Sequence, residues 1–511
     1  MDLCQQMCVL SRLTSARPLV LLVYPPIRDN VDIKVLPFGL LSIASHLREG
    51  NCRVEIFDLN IQKEDAFLQR VREQSILYVG FSVFTGPMIK EVIRLSQIIR
   101  RDRPDIPLVW GGPHSTIMPE LTARHEYVDI VCHGEGERTA VRLAHALEDR
   151  QPLDQVPGLA FKRGDEVVQT PPAEPLRNAD EEMSFALDAI DLEPYIFTRE
   201  GKRCACVLTS RGCPYRCSFC WNLMFHGRRY TSWSPAVVQR EFQPLLKHGV
   251  QKLILLDSFV GPVARVKALG EWIKAQGLEW AIEDGCRVDV HNSEDFFRTL
   301  KNTGCTHVAF GAESGSQRVL DLIKKDITVD QIVKTAEARH SSSIGARYQW
   351  MTGVPGETPE DALATVRLID RIDKMNPFSA HSIEVYVPYP GNELFEAACA
   401  AGWHPPKDLE GWGTFRWEGR YPYHKAGTWY FKSIHYSNFL RQRRLLAKMS
   451  CYTARLRLPF RIASYLLLPF AEIRWKLRRF GCPLEYVAAE TVERLLLKLE
   501  SRVRSVAKNQ E

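Results

Sequence analysis

The residues of this chain best suited to chemistry are three cysteines on one short segment. Cys213, Cys217 and Cys220 stand in Arg211-Gly-Cys-Pro-Tyr-Arg-Cys-Ser-Phe-Cys-Trp221, a C-x3-C-x2-C spacing. With 14 cysteines among 511 residues, chance would produce that spacing roughly 0.01 times in the chain. Three thiolates on one loop can hold three irons of a [4Fe–4S] cluster and leave the fourth iron open to a chelating ligand. A structural zinc ion would ask for a fourth protein ligand close by. Cys204 and Cys206 are the nearest, but they alternate along an apolar stretch and read as ordinary buried strand residues. The spacing points to a cluster, with zinc as the rival.

Such a loop needs a rigid support, and the flanking sequence supplies one. From 201 to 402, apolar runs alternate with amphipathic stretches of helical spacing. The predicted strands are Arg203–Thr209, Lys252–Asp257, Glu279–Glu283, His307–Gly311, Ala346–Gly353 and Ile383–Val387. The predicted helices are Pro235–His248, Val263–Gln276, Ser293–Thr303, Val329–Arg339 and Pro359–Asp373. Six βα units with long crossovers predict a partial (β/α)6 TIM-type barrel, whose chemistry belongs at the C-terminal strand ends. Residues 17–150 show a shorter alternation, with runs at Pro18–Tyr24, Cys52–Phe57, Leu77–Val83, Pro107–Trp110 and Val128–Cys132. Helical spacing at Leu36–Leu47, Met88–Arg100 and Arg138–Leu147 completes a doubly wound, Rossmann-like α/β sheet. Residues 1–16 read as a tail, and proline-rich 151–200 as a linker. Residues 403–511 read as an aromatic-rich closing segment followed by a basic helical region.

The cysteine loop resembles that of radical S-adenosylmethionine enzymes, including the aromatic Phe219 before the third cysteine. The resemblance implies that Cys213, Cys217 and Cys220 hold the catalytic cluster and that the open iron chelates S-adenosylmethionine. One-electron reduction, from an external donor of the flavodoxin or ferredoxin type, then yields a 5′-deoxyadenosyl radical. Later segments match in order. His307-Val-Ala-Phe-Gly-Ala-Glu-Ser-Gly-Ser-Gln-Arg318 resembles the family's fourth-strand segment, which implies that Glu313 reaches the cofactor ribose, with Ser314 beside it. For Glu313 alone, the alternative is a salt bridge at a strand end. Gly353-Val-Pro-Gly-Glu-Thr358 resembles the fifth-strand motif that packs on the adenine, and Pro388-Tyr-Pro-Gly-Asn-Glu393 the sixth-strand end. Asp257 and Arg287 close the second and third strands, where contacts to the methionine moiety or substrate are expected.

In the first domain, glycines occupy strand ends where backbone must approach a ligand closely. They lie in Gly80–Gly86, Trp110-Gly-Gly-Pro-His114 and His133-Gly-Glu-Gly-Glu-Arg138. The ensemble resembles the cobalamin-binding domain that precedes the barrel in one branch of these enzymes. That implies a corrin held through Thr85, Gly86, Gly111, Gly112, His114, Gly134 and Glu135. The Asp-x-His-x-x-Gly loop that supplies a lower axial histidine in many cobalamin domains does not occur here. Asp289-Val-His291 begins the pattern but runs into Glu294, within the barrel. His114 is the nearest imidazole and is expected at the corrin edge or in solvent. The two domains imply methylation of an unactivated carbon in a small-molecule, lipid or secondary-metabolite substrate. The alternatives are ring formation, as in anaerobic tetrapyrrole cyclases, and a non-catalytic cobalamin-binding regulator, against which the intact cysteine triplet speaks.

Composition excludes several other classes. Hydrophobic residues at 45% and charged residues at 25% are ordinary for a folded chain, unlike disordered, collagen-like or disulfide-scaffold proteins. The net charge of +6 is local: Lys432–Glu511 holds 17 Lys and Arg against 6 Glu, leaving −5 for residues 1–431. That pattern is not expected of a nucleic-acid binder. No apolar run reaches the ~18 residues of a membrane span, and Met1–Ser15 lacks a signal-peptide pattern, so a cytoplasmic address is expected. The Trp/Tyr-rich segment 403–431 is expected to close the barrel mouth. Leu456–Leu477 interleaves Arg and Lys with Leu, Phe and Trp. It reads either as an interfacial helix making peripheral membrane contact or as a cap packed on the barrel.

Overall fold

The computed structural model describes residues 19–27, 35–340, 342–376 and 379–415, and further on 431, 433–435, 437–438, 441–442 and 458–480. Its first sheet contains β1 (Leu19–Tyr24), β2 (Arg53–Asp58), β3 (Ile76–Ser82), β4 (Leu108–Gly111), β5 (Ile130–Cys132), β6 (Leu159–Arg163) and β7 (Glu166–Gln169). The order is β2-β1-β3-β4-β5-β6-β7, parallel as far as β5. Because helices cover both faces, β1 is apolar and buried almost throughout. The strand order reverses between β1 and β3, the place in doubly wound sheets where ligands bind, outside the carboxyl ends of the strands.

The stretch expected as a linker behaves differently. β6 and β7 form an antiparallel hairpin that extends the first sheet, turning at Arg163-Gly164-Asp165. Pro157 and Pro171 lie just outside the two strands, where their missing N–H groups cost no ladder bond.

The second sheet is the expected half-barrel. It comprises β8 (Phe197–Arg199), β9 (Lys202–Val207), then, after the short strands β10 (Ser210–Gly212) and β11 (Tyr230–Ser232), β12 (Lys252–Leu255), β13 (Glu279–Cys286), β14 (Cys305–Glu313), β15 (Gly345–Thr352) and β16 (Ser379–Val385). Strands β9 and β12 to β16 run parallel in sequence order, while β8 pairs antiparallel at the edge. Helix starts follow local chemistry. Thr328 and Thr358 form capping boxes with Gln331 and Asp361, and Pro359 fills the first helical position of Pro359–Met375.

The described part of the aromatic segment, residues 403–415, packs between the two domains. Trp403, Trp412 and Phe415 are buried against the first domain and the end of β16. A Cβ on Gly413 would fall 2.7 Å from Lys90 Cγ on helix Met88–Asp102. Large aromatic area is buried where an apolar wall exists, and here that wall is shared by the first domain and barrel residues such as Met351, Val354 and Tyr386. Residues 416–430 lie outside the described residues.

Candidate functional site

The cysteines sit between two paired short strands. β10 and β11 form an antiparallel hairpin with Gly212 opposite Tyr230, and Cys213–Arg229 is its loop. Gly212 has φ +72°, and a Cβ there would lie 2.1 Å from the Arg229 carbonyl oxygen. Only glycine permits this approach. Buried Asp257 anchors the base, its Oδ1 accepting from the backbone N–H groups of Thr209 (2.7 Å) and Ser210 (2.9 Å). Its other oxygen accepts from the Thr209 hydroxyl. Asp257 thus shapes the turn into the loop.

The loop is tied to the barrel rim. Ser218 N–H donates to Ile323 O (2.9 Å), Leu394 N–H to Ser218 O (3.2 Å), and Arg216 pairs with Asp326 at 2.8 Å. Cys217 is buried, while Cys213 and Cys220 are partly exposed. Burial pushes the Cys220 thiol up to about 11 and raises Cys213 as well. Cations oppose that burial. The Arg287 Nη1 stands 3.9 Å from Cys217 Sγ, its guanidinium lies 3.5 Å from the Tyr215 ring centre, and Asp289 and the Lys325 carbonyl hold it in place. A bound electrophilic metal group would complete the deprotonation.

Among the described residues, no three His, Cys, Asp or Glu side chains converge as ligands of one metal ion. Beside the three cysteines, buried Ser218 Oγ and both side-chain polar atoms of Asn222 make no hydrogen bond in the protein. Buried polar atoms normally have partners, so the loop fits an added polar group. Cys213, Cys217 and Cys220 would hold a cluster here.

Glu313 ends β14 close to this loop. Its φ is +62°, rare for a side chain of this kind, and its Oε1 accepts from Lys325 Nζ at 2.7 Å. Lys325 Nζ is also 5.9 Å from the Phe219 ring centre, so the pair borders the cysteine loop. A Cβ on Gly311 would fall 2.6 Å from Glu313 Oε1 and 2.7 Å from Lys325 Nζ. Buried Ser314 turns inward, within 3.3 Å of Thr365 Oγ1, and accepts from Ser316 N–H at 3.1 Å. Gly353, at φ +77°, donates its N–H to Glu357, a carboxyl that burial pushes up to about 8.

The first-domain residues gather at the ends of β3, β4 and β5. Gly112 has φ +89°, and a Cβ there would sit 2.8 Å from Val83 N, whereas Gly111 meets only ordinary contacts. Gly86 and Gly134 also have positive φ, and Gly134 has open space where a side chain would be. These turns lie at the strand ends where doubly wound sheets bind ligands, and the open Gly134 turn makes them a cradle that a flat corrin edge would fit. His114 is fully buried. Its Nδ1 lies 3.0 Å from Thr85 Oγ1, its ring centre is 6.3 Å from Trp412, and burial drives its pKa down to about 3. It is therefore a neutral core residue in this structure, with no solvent-facing role.

The two halves are locked together at these loops. His226 Nδ1 and Glu135 Oε1 are 3.0 Å apart, joining the helix after Cys220 to the Gly134 turn. Arg211, two residues before Cys213, donates to buried Glu137 at 2.6 Å, and Ser42 donates to the same oxygen at 2.8 Å. A Cβ on Gly391 would touch Met224 (2.7 Å) and Ile117 (3.5 Å), so the sixth-strand loop also meets both domains. Lys325, Tyr215, Asn222, His226 and Glu137 were not singled out from sequence. Their importance lies in contacts across the fold, although Glu137 sits within a glycine motif already read as ligand-facing.

Comparisons with known proteins agree with this geometry. Residues 25–144 match the B12 binding domain, and residues 207–369 match the Radical SAM superfamily. The chain is 30% identical over 391 residues to an uncharacterized methyltransferase of Pyrococcus horikoshii, covering 75% of this chain and 83% of that protein. It is 29% identical over 371 residues to the anaerobic magnesium-protoporphyrin IX monomethyl ester cyclase of Rubrivivax gelatinosus, covering 70% of this chain and 66% of that one. The solved structure of TsrM, a radical S-adenosylmethionine methyltransferase from Kitasatospora setae with cobalamin and a [4Fe-4S] cluster bound, shares the fold. Its TM-score is 0.62 at 22% identity, over 76% of this chain and 75% of that one. A corrin-type cradle, a three-cysteine hairpin loop on a half-barrel and these matches in the same order place the chain in the family of cobalamin-binding radical S-adenosylmethionine enzymes.

Proposed function

We propose that this protein is a methyltransferase that uses S-adenosylmethionine, cobalamin and a [4Fe–4S] cluster to methylate an unactivated carbon of a small molecule. The observation that carries the reading is the interdomain lock. Glu135 and Glu137 of the corrin cradle bond directly to His226 and Arg211 on either side of the cysteine loop. A methyl carrier and a radical source would then open onto one shared space. When bound, the cluster supplies reductive cleavage of S-adenosylmethionine and the corrin supplies a transferable methyl group.

The chain's own residues bind, orient and shield. Cys213, Cys217 and Cys220 hold the cluster, while Arg287 and Lys325 offset its negative charge. Lys325 fixes Glu313 Oε1, which leaves Oε2 to accept from a ribose hydroxyl. Gly353, whose N–H is held by Glu357, would bring backbone against the adenine. Trp412 and Phe415 seal the first domain near His114 and keep water from that side. The reaction consumes electrons singly, so an external flavodoxin- or ferredoxin-type donor is part of the proposal. A cytoplasmic location is proposed too, supported by the free thiols at every described cysteine. No helix among the described residues is long and apolar enough to cross a membrane.

Ring formation is the second reading, favoured by the similarity to the Rubrivivax cyclase. The test is an anaerobic incubation of reconstituted, reduced protein with methyl-labelled S-adenosylmethionine, read by mass spectrometry. Labelled methylcobalamin with S-adenosylhomocysteine and 5′-deoxyadenosine is expected of the methyltransferase. Deoxyadenosine alone, with bound cobalamin never methylated, would move the assignment to the cyclase class.

A further inference from the structure

The helix Leu458–Leu477 is not used by the reaction described above, and its two sides differ sharply. One side is packed. Trp475 is buried, its Nε1 donates to Asp370 Oδ1 at 2.8 Å, and the Arg441 guanidinium lies 4.3 Å from its ring centre. Arg478 pairs with the same aspartate, and Ala471 and Phe480 are buried alongside. This side caps helix Pro359–Met375 of the barrel.

The other side carries Phe470, Ile473 and Leu477, exposed at 61%, 55% and 63%. Spacings of three and four residues align them in one stripe. At roughly 100° per residue, Arg474 borders the stripe on one side and Lys476 on the other. The surrounding segment Lys432–Glu511 has 17 basic against 6 acidic residues.

We infer that this stripe docks the enzyme on an anionic lipid surface. Three adjacent apolar side chains, held outward by a rigidly packed opposite face and flanked by cations, match what an interfacial helix presents to headgroups and acyl chains. A second copy of the chain is the poorer occupant, because face-to-face docking would bring two strongly basic segments together. The inference does not depend on the reaction chemistry.

The test is co-sedimentation of the intact protein with phosphatidylcholine vesicles, with and without phosphatidylglycerol. Binding is expected only with the anionic lipid, and it should weaken as salt rises. The triple variant Phe470→Ser, Ile473→Ser, Leu477→Ser should lose about tenfold or more in partitioning, with cobalamin binding and secondary structure retained. The charge variant Arg474→Gln, Lys476→Gln tests the flanks without touching the apolar stripe and should also bind less. Three results would overturn the inference: no sedimentation of the intact protein, undiminished sedimentation of the triple variant, or a dimer in light scattering that the triple variant converts to monomer.

Discussion

Glu137 is the place where the interdomain lock can be measured as an energy. It lies in the first turn of helix Gly136–Glu148, is buried, and accepts from Arg211 and Ser42. Burial alone would raise its pKa, but the Arg211 charge and the hydrogen bonds from Arg211 and Ser42 reverse that and hold it at about 2, against an ordinary 4.5. At about 1.4 kcal/mol per pH unit, this difference corresponds to about 3 kcal/mol of stability at neutral pH. The breaking of a buried ion pair costs about 3–5 kcal/mol, so two routes give the same scale. Glu137→Gln keeps the shape and removes the charge. The sign follows from the depressed folded-state value: the contribution is complete above 4.5 and is lost as pH falls through about 2. The variant should be about 3 kcal/mol less stable at pH 7 and only about 2 kcal/mol less stable at pH 3.5. Anaerobic urea unfolding of cofactor-free protein, followed by tryptophan fluorescence, measures both. Equal stability at pH 7, or a deficit that does not shrink on acidification, would refute the assigned pairing.

Further expectations concern single positions. Gly212→Ala puts a Cβ into the Arg229 carbonyl, so iron incorporated on anaerobic reconstitution should fall below half of wild type while circular dichroism is kept; full iron loading would contradict the turn geometry. Lys325→Met strips Glu313 of its 2.7 Å partner and should weaken S-adenosylmethionine binding about 10- to 100-fold, the scale of hydrogen bonds to charged groups; calorimetry showing an unchanged Kd would remove Lys325 from the site. Trp412→Ala deletes a fully buried ring beside His114 and should cost about 3–5 kcal/mol in unfolding, along with weaker retention of cobalamin.

Much of this was legible because it is local. The cysteine spacing needs no tertiary knowledge, and the parallel strands, buried on both faces, announce themselves as apolar runs with β-branched residues. Thr328, Thr358 and Pro359 mark helix starts within four residues. Long-range pairing was less visible. The β10–β11 hairpin has only three residues per strand, too few for a period, and is set by the close approach of Gly212 to Arg229. The β6–β7 hairpin was obscured by prolines that flank it without entering it. The bonds of Asp257 to Thr209 and Ser210 were equally hidden, because they follow from the loop's path. Lys325 and Arg211 owe their roles to partners on other elements, Glu313 and Glu137, which neither neighbouring sequence names. The contacts of Trp412 with the first domain, at His114, could not be read from its own segment, because they depend on how the two domains pack.

Cluster and corrin would be held in one protein through separate residues. The most direct measurement compares wild type with the triple variant Cys213→Ala, Cys217→Ala, Cys220→Ala after anaerobic reconstitution with iron, sulfide and cobalamin. Iron, sulfide and cobalamin are quantified in each, and the absorbance and electron paramagnetic resonance spectra are recorded. A [4Fe–4S] signature and bound cobalamin are expected in wild type, and cobalamin without cluster iron in the variant. Cluster absorbance that survives loss of the three thiols, or wild type that takes up the cluster but no cobalamin, would contradict this assignment.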